Sequence, residues 1–230
     1  ELNSSYYRIP EKEAVKSWCK QVDKEFRFCP KVYQEISHSR QGLFDQNLHM
    51  SWYRFLEDLD CNLGPCFIQF HEMFSYSDKN FLFRFLENWP QHFKIAVELR
   101  HPSWFEDHKI KPALVDYLHS KGMGLVITDV AGRRDVLHSS VSDKFSMLRL
   151  IGNALDSSDE KRLDAWIKRI KSWKEKGLCE FYLFLHQPDD ILTFEFSELA
   201  AKLISQNEIE HLKLKTPHFT DQKSLFGEEV

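Results

Sequence analysis

Short apolar runs alternate with amphipathic stretches from one end of the chain to the other. The apolar runs predict strands over 2–6, 26–31, 65–70, 94–99, 124–129, 145–150 and 181–186. Between them, apolar positions recurring at helical spacing predict helices over 11–24, 50–59, 79–88, 112–121, 160–176 and 197–206. Several boundaries have local causes. Ser157, Ser158, Asp159 and Glu160 supply capping-type residues and early acids to the long helix, and Gly177 ends it. Pro112 stands where a helix has no use for an N–H. Repeated strand-then-helix order implies parallel strands joined by helical crossovers, either an open sheet or a barrel. No G-x-G-x-x-G follows the first strand, which counts against a dinucleotide fold.

Alternate residues of a strand share a face, and the inner face of a barrel is packed with apolar side chains. A polar residue in phase with that face, at the strand's C-terminal end, therefore stands at the mouth. Lys31 is in phase with Cys29, Gln69 with Phe67, Glu98 and Arg100 with Ala96, and Arg149 with Phe145 and Met147. The same reading aligns Asp129 with Leu125 and Ile127, and His186 with Tyr182 and Phe184. Any one of these could be a solvated residue just past a strand. Their repetition predicts a ring of both signs at the C-terminal face, suited to a polar or anionic ligand.

Composition limits the alternatives. A chain of 230 residues with 42% hydrophobic and 29% charged positions is ordinary for a globular protein, and 19 Phe supply a large core. A formal net charge of −4 argues against coating nucleic acid through bulk charge, though not against a local basic groove. The 5 Cys are odd in number and contain no C-x-x-C pair, which predicts reduced thiols in a cytoplasmic protein. No apolar run approaches the roughly 18 residues of a membrane span, and no signal peptide is visible. The domain reading is one (β/α) unit over 1–206 and a C-terminal tail over 207–230.

Five motifs carry a family resemblance. Glu1-Leu2-Asn3-Ser4-Ser5-Tyr6-Tyr7-Arg8-Ile9-Pro10 resembles E-x-N-x-(S/T)-(F/Y)-Y-x-x-P. Phe26 to Lys31 with Ile36-Ser37-His38 resembles F-x-F-x-x-K…I-(T/S)-H. Leu63-Gly64-Pro65 with Gln69-Phe70 resembles L-G-P…Q-(F/L), and Glu98 to Trp104 resembles E-x-R-H-x-S-W, the most specific of the set. Arg149 to Asn153 resembles a late R-(L/F)-x-G motif. The chain is thereby similar to the YecE-like family (domain of unknown function 72). The resemblance implies an α/β fold, a TIM-like (β/α) barrel, but not a chemistry, because the family's role is unsettled. Members normally carry a strand–helix unit before the E-x-N strand, and that first unit is missing or truncated here. The motif matches add Glu1, Asn3, His38, Trp104 and Asn153 to the ligand-binding candidates.

The candidate catalytic residues are Glu98, His101, Lys31 and Asp129. Glu98 is a general acid or base if buried, or a partner of Arg100 or Arg149. Lys31 is a cation paired with Glu98 or Asp129, unless desolvation or a neighbouring cation makes it a base. His101 is a candidate proton shuttle, Trp104 a stacking platform, and Arg149 an anion anchor, joined by Arg100, Gln69 and His186. His38, Glu98, His101, Asp129 and His186 are metal-ligand types, but their spacing indicates no metal. In the tail, Gln222, Leu225 and Phe226 fit the short Q-x-(S/D)-L-F pattern by which bacterial replication and repair proteins bind the sliding clamp. The sequence reading is an enzyme, a hydrolase or isomerase, acting on a phosphate-bearing or sugar-containing substrate, with nucleic acid among the candidates. The alternatives are a non-catalytic DNA-maintenance protein recruited through its tail, and a sugar isomerase-like enzyme using a divalent metal.

Overall fold

Five strands hydrogen-bond into one parallel sheet: β1 (Cys66–Gln69), β2 (Ile95–Glu98), β5 (Gly124–Val130), β6 (Phe145–Ile151) and β7 (Glu180–His186), in that order. The computed structural model describes residues 1–207. A separate antiparallel pair, β3 (Phe105–Glu106) and β4 (Lys109–Ile110), forms a small hairpin outside the sheet. The first two expected strands shrink to isolated parallel bridges, Leu2 with Pro30, Phe28 with Leu63 and Lys31 with Phe67, which extend the sheet beyond β1. Among the described residues no backbone ladder joins Leu2 to β7, so the sheet is not closed.

The expected strand at 2–6 is corrected to one bridging residue followed by a helical turn, α1 (Ser4–Tyr7). Its cause is local. The Ser5 hydroxyl donates to the carbonyls of Leu2 and Lys31, 2.7 and 2.8 Å away, and pulls the backbone out of extension. The remaining helices are α2 (Lys12–Gln21), α3 (Gln34–Ser37), α4 (Gln46–Leu59), α5 (Lys79–Glu87), α6 (Pro112–Lys121), α7 (Ser157–Glu175) and α8 (Asp190–Gln206). Three begin earlier than expected because an aspartate caps them: Asp45, Asp156 and Asp189 each accept from backbone N–H groups of the first turn.

Both faces of the sheet are buried, as parallel sheets require. Cys66, Ile68, Ile95, Val97 and Leu125 face α2, α4, α5 and α6 through Val15, Trp52, Leu56, Phe85 and Leu114. Ile127, Leu148 and Leu150 face α7 and α8 through Leu163, Trp166, Ile167 and Phe196. The other face is a separate, smaller core of Cys29, Phe67, Ala96, Val126, Phe145 and Met147, with Tyr182 and Phe184 packed on it. Gly124 belongs to this inner phase because a Cβ there would meet the Phe145 ring at 2.6 Å. All five cysteines are free. No helix among the described residues is long and apolar enough to cross a membrane.

Candidate functional site

The inner core ends in polar side chains at the C-terminal edge of the sheet. Gln69 and Glu98 are register partners on β1 and β2, and the Gln69 amide donates to Glu98 Oε1 at 2.7 Å. Its carbonyl oxygen accepts from Lys31 Nζ at 3.0 Å. Arg149 on β6 donates from Nη1 to Glu98 Oε2 at 3.2 Å, and Arg100 donates from Nε to Glu98 Oε1 at 2.9 Å. The remaining Arg149 donors meet Glu1, Nε to Oε2 and Nη2 to Oε1, both at 3.0 Å. His186 Nε2 lies 3.0 Å from Glu1 Oε2. Residues as far apart in sequence as Glu1 and His186 thus form one network over the inner core.

Glu98 is fully buried. Burial alone would push its carboxyl up, but Arg149 and Arg100 beside it, with the Gln69 amide, hold it below the ordinary carboxylate value. Burial also opposes ionisation of Glu1, which the hydrogen bonds from His186 and Arg149 overcome. Lys31 goes the other way. Burial and then the Arg149 charge bring its ammonium down to about 8, opposed by Glu98, with smaller contributions from Arg100 downwards and Glu1 upwards. Its contacts are the neutral Gln69 amide and the Tyr6 ring, whose centroid is 4.0 Å from Nζ. The thiol of Cys29, beneath the network, is pushed up to about 12 by burial and is inert as a nucleophile.

One rim of the network is aromatic. Tyr6 stands edge-on to Tyr7 and to His38, and the His38 and His71 rings are 5.6 Å apart. Tyr6 Oη is 3.3 Å from His38 Nε2, and Ser37 Oγ is 2.7 Å from His38 Nδ1. Burial, with the nearby His71, Lys31 and Arg100, lowers the His38 pKa, which favours the neutral ring. Sequence reasoning missed Tyr6 and His71. Tyr6 lay in the first motif, but the turn of α1 that directs it over Lys31 was not foreseen.

Five candidates fall outside the network. Asp129 faces the helices, where it accepts from Arg134, Arg162 and the Trp166 indole at 2.5, 2.8 and 2.7 Å. The inward residue of β5 is Thr128, the register partner of Arg149. Trp104 is wholly buried, stacks on Phe74 and donates to the Phe74 carbonyl at 2.8 Å, so it offers no face to a ligand. Asn3 is exposed and caps no helix through its side chain. The exposed Asn153 sits in a loop held by its own backbone N–H on Asp159 and by that of Ala154 on Gln187. The neighbouring Gly152 is required there, since a Cβ would lie 2.1 Å from Gln187 Nε2. His101 is half-buried, with Nδ1 accepting from the Ser103 N–H and 2.7 Å from the Ser103 hydroxyl, which shapes the loop after β2. Among the described residues no group of three or more His, Cys, Asp or Glu is arranged to hold a metal ion. Gln222, Leu225 and Phe226 lie outside the described residues.

Comparison with known proteins gives one consistent family. The profile described as "Protein of unknown function DUF72" matches residues 1–219. The UPF0759 protein YecE of Escherichia coli (strain K12) is 27% identical over 207 residues, covering 82% of this chain and 75% of its own. Two solved structures share the fold. A DUF72 family protein from Enterococcus faecalis V583 has a TM-score of 0.72 at 20% identity, over 88% of this chain and 87% of its own. Another from Thermotoga maritima MSB8 has a TM-score of 0.57 at 19% identity, over 85% and 82%.

Proposed function

The chain belongs to the DUF72 family, and on that premise we propose that it is an enzyme for a small, oxygen-rich anion, with Lys31 as its proton acceptor. The substrate is a sugar phosphate or a related phosphate-bearing compound, held over the C-terminal ends of β1, β2, β6 and β7. On this reading the sheet is an incomplete barrel whose first and last elements are tied by Glu1 instead of by a backbone ladder.

The observation that carries the reading is the setting of Lys31. It is half-buried at the strand ends, hydrogen-bonded to an amide and not to a carboxylate, with two guanidinium groups close enough to depress its charge. A lysine desolvated beside other cations is the arrangement that yields a neutral amine near pH 8. With Lys31 protonated, three cations (Lys31, Arg100 and Arg149) stand against two carboxylates (Glu1 and Glu98). The surplus favours an anionic ligand.

Roles divide by what each group has left to offer. Arg149 is ion-paired to both Glu1 and Glu98, which neutralise it, so on this reading it organises the site and leaves the anion to Arg100. Arg100 uses only Nε within the site, and its half-exposed guanidinium retains two terminal nitrogens for a phosphate. His186 and the Tyr6–His38 pair border the same space and suit hydroxyl groups. Glu98, ionised and saturated, fixes the geometry of the donors around it.

The test is a panel of sugar phosphates, nucleotides and short DNA, with and without divalent metal. Binding is followed by calorimetry, and proton exchange from D2O into the carbon next to the carbonyl by NMR. The expected result is binding weakened by Arg100→Ala and exchange abolished by Lys31→Met with binding retained. Exchange that survives Lys31→Met, or an absence of binding across the panel, overturns the reading.

A further inference from the structure

The connection from β5 to β6, residues 131–144, carries only a single 3-10 turn, Arg134–Val136, where adjacent parallel strands are usually joined by a helix. The seam between α6 and α7 is therefore filled by loop, and cavities remain along it. One, of about 320 Å³, lies between His119 on α6 and Trp173 on α7. Another, of about 270 Å³, lies nearer the strand ends, between Arg134 and Leu137 of the loop and Arg162, Ala165, Trp166 and Arg169 of α7.

The floor of this second cavity is built. Asp129 accepts from Arg134, Arg162 and the Trp166 indole, which fixes both guanidinium groups and the ring. Asp159 holds Arg162 from behind at 3.2 Å. Both carboxylates are spent, since Asp159 also accepts from the Asn153 N–H and the Gln187 amide. The donors are not spent. Arg162 Nε is buried with no partner among the described residues. Arg134 engages Asp129 through Nη1 alone. Arg169 lies over the Trp166 ring, 5.6 Å from its centroid, and has no carboxylate partner among the described residues. Three arginines thus face two carboxylates; Leu137, Ala165 and Trp166 give the cavity an apolar wall, and His108, His138 and Ser139 complete its lining.

We propose that this cavity is a second binding site, for a small organic oxyanion: a carboxylate or phosphate carried on a flat apolar body. The head group meets Arg134 and Arg169, and the body lies among Leu137, Ala165 and Trp166. The site is separate from the one at the strand ends, because β5 sends Thr128 to the inner face and Asp129 to this one. It does not depend on the reading of Lys31.

The test uses NMR of the tryptophan indole N–H signals of the full chain, with the Trp166 signal assigned by its loss in Trp166→Phe. The probes are benzoate, phenyl phosphate and inorganic phosphate. Benzoate or phenyl phosphate should move the Trp166 signal saturably, and whichever binds more tightly identifies the head group. Arg134→Ala and Arg169→Ala should each weaken binding about tenfold, as loss of a charged hydrogen bond implies. Arg169 is exposed and, among the described residues, stacks only on Trp166, so Arg169→Ala should keep the parent's melting temperature, whereas Arg134→Ala removes one of three side-chain donors to the buried Asp129 and should lower it. Lys31→Met should leave the titration unchanged. No movement of the Trp166 signal up to about 10 mM probe, well above the weak-binding range, overturns the proposal. So does binding that is equally tight in the Arg134→Ala/Arg169→Ala double variant, or equally tight for inorganic phosphate.

Discussion

Glu1 and Arg149, 148 residues apart in sequence, face each other across the sheet edge in a two-bond pair, Nε to Oε2 and Nη2 to Oε1, each 3.0 Å long. That pair, with Glu98 on the other side of the guanidinium, engages each of the three Arg149 nitrogens once. A side chain that looks in the sequence like an anion anchor is ion-paired to two carboxylates. The groups with unspent capacity are its neighbours, Lys31 and Arg100.

The first prediction concerns pH. If Lys31 accepts a proton, kcat/KM should rise with pH through an apparent pKa of about 8 and level off above it. Lys31→Arg should remove this limb together with activity. The same depressed pKa acts on stability. Between about pH 8 and the unfolded value of 10.5 the unfolded chain binds more protons, so the folded state gains stability as pH rises through that window. Chemical denaturation of parent and Lys31→Met across this range checks it: the gain should be confined to the parent.

Glu98→Gln tests the ionic core. The change keeps the shape but removes a buried charge facing Arg149 and Arg100. Breaking such a pair from one side is expected to cost about 3 kcal/mol, read as a lower urea midpoint. The second expected effect is on Lys31. Without the Glu98 charge its pKa should fall further, moving the acid limb of the rate profile below that of the parent.

His138 sets an acid limit. The ring is buried, donates from Nε2 to the Val126 carbonyl at 3.2 Å and accepts the Ser140 N–H at Nδ1, so it is neutral in the fold. Burial brings its pKa down to about 4 from 6.5. Between those values the unfolded chain takes up the proton and the folded chain does not. Stability is therefore lost as pH falls from 6.5 towards 4, by about 3 kcal/mol across the window. His138→Asn should be less stable at pH 7 but should flatten this decline, measured by urea midpoints from pH 7 to 4.

Trp104→Phe separates packing from binding. The smaller ring leaves the Phe74 carbonyl without its indole donor and should cost about 2 kcal/mol, seen as a lower melting temperature. Affinity for any ligand of the strand-end site should not change. A selective loss of affinity without loss of stability would return Trp104 to the binding surface.

How much of this was legible depended on where alternation carries information. Lys31, Gln69, Glu98, Arg149 and His186 each extend an inner phase marked by larger or distinct residues, and the structure brings all five to one place. β5 defeated the same reading because Leu125, Val126 and Ile127 are apolar on both faces, so the run carries no phase of its own. The one local marker was Gly124, required under the Phe145 ring, which puts Thr128 and not Asp129 on the inside. The turn at Ser4–Tyr7 was hidden for a different reason. It depends on the Lys31 carbonyl, a partner 26 residues away that no local pattern reports. The exposure of Asn153 and the burial of Trp104 likewise follow from contacts with Asp159, Gln187 and Phe74 that lie outside their own motifs.

The Glu1 contacts also fix the order in which the site can assemble. A chain pays more entropy to close a long loop than a short one, and contacts between distant residues come late in folding. Glu98 and Gln69 can meet as soon as β1 and β2 pair, 29 residues apart. Glu1 must wait for β6 and β7, whose Arg149 and His186 complete its hydrogen bonds across 148 and 185 residues. An intermediate lacking β7 would hold the Glu98, Arg149 and Gln69 part of the site with Glu1 short of its His186 contact. Competence to bind at the strand ends is thus gained in the last steps of folding, and reports that Glu1 has met β6 and β7.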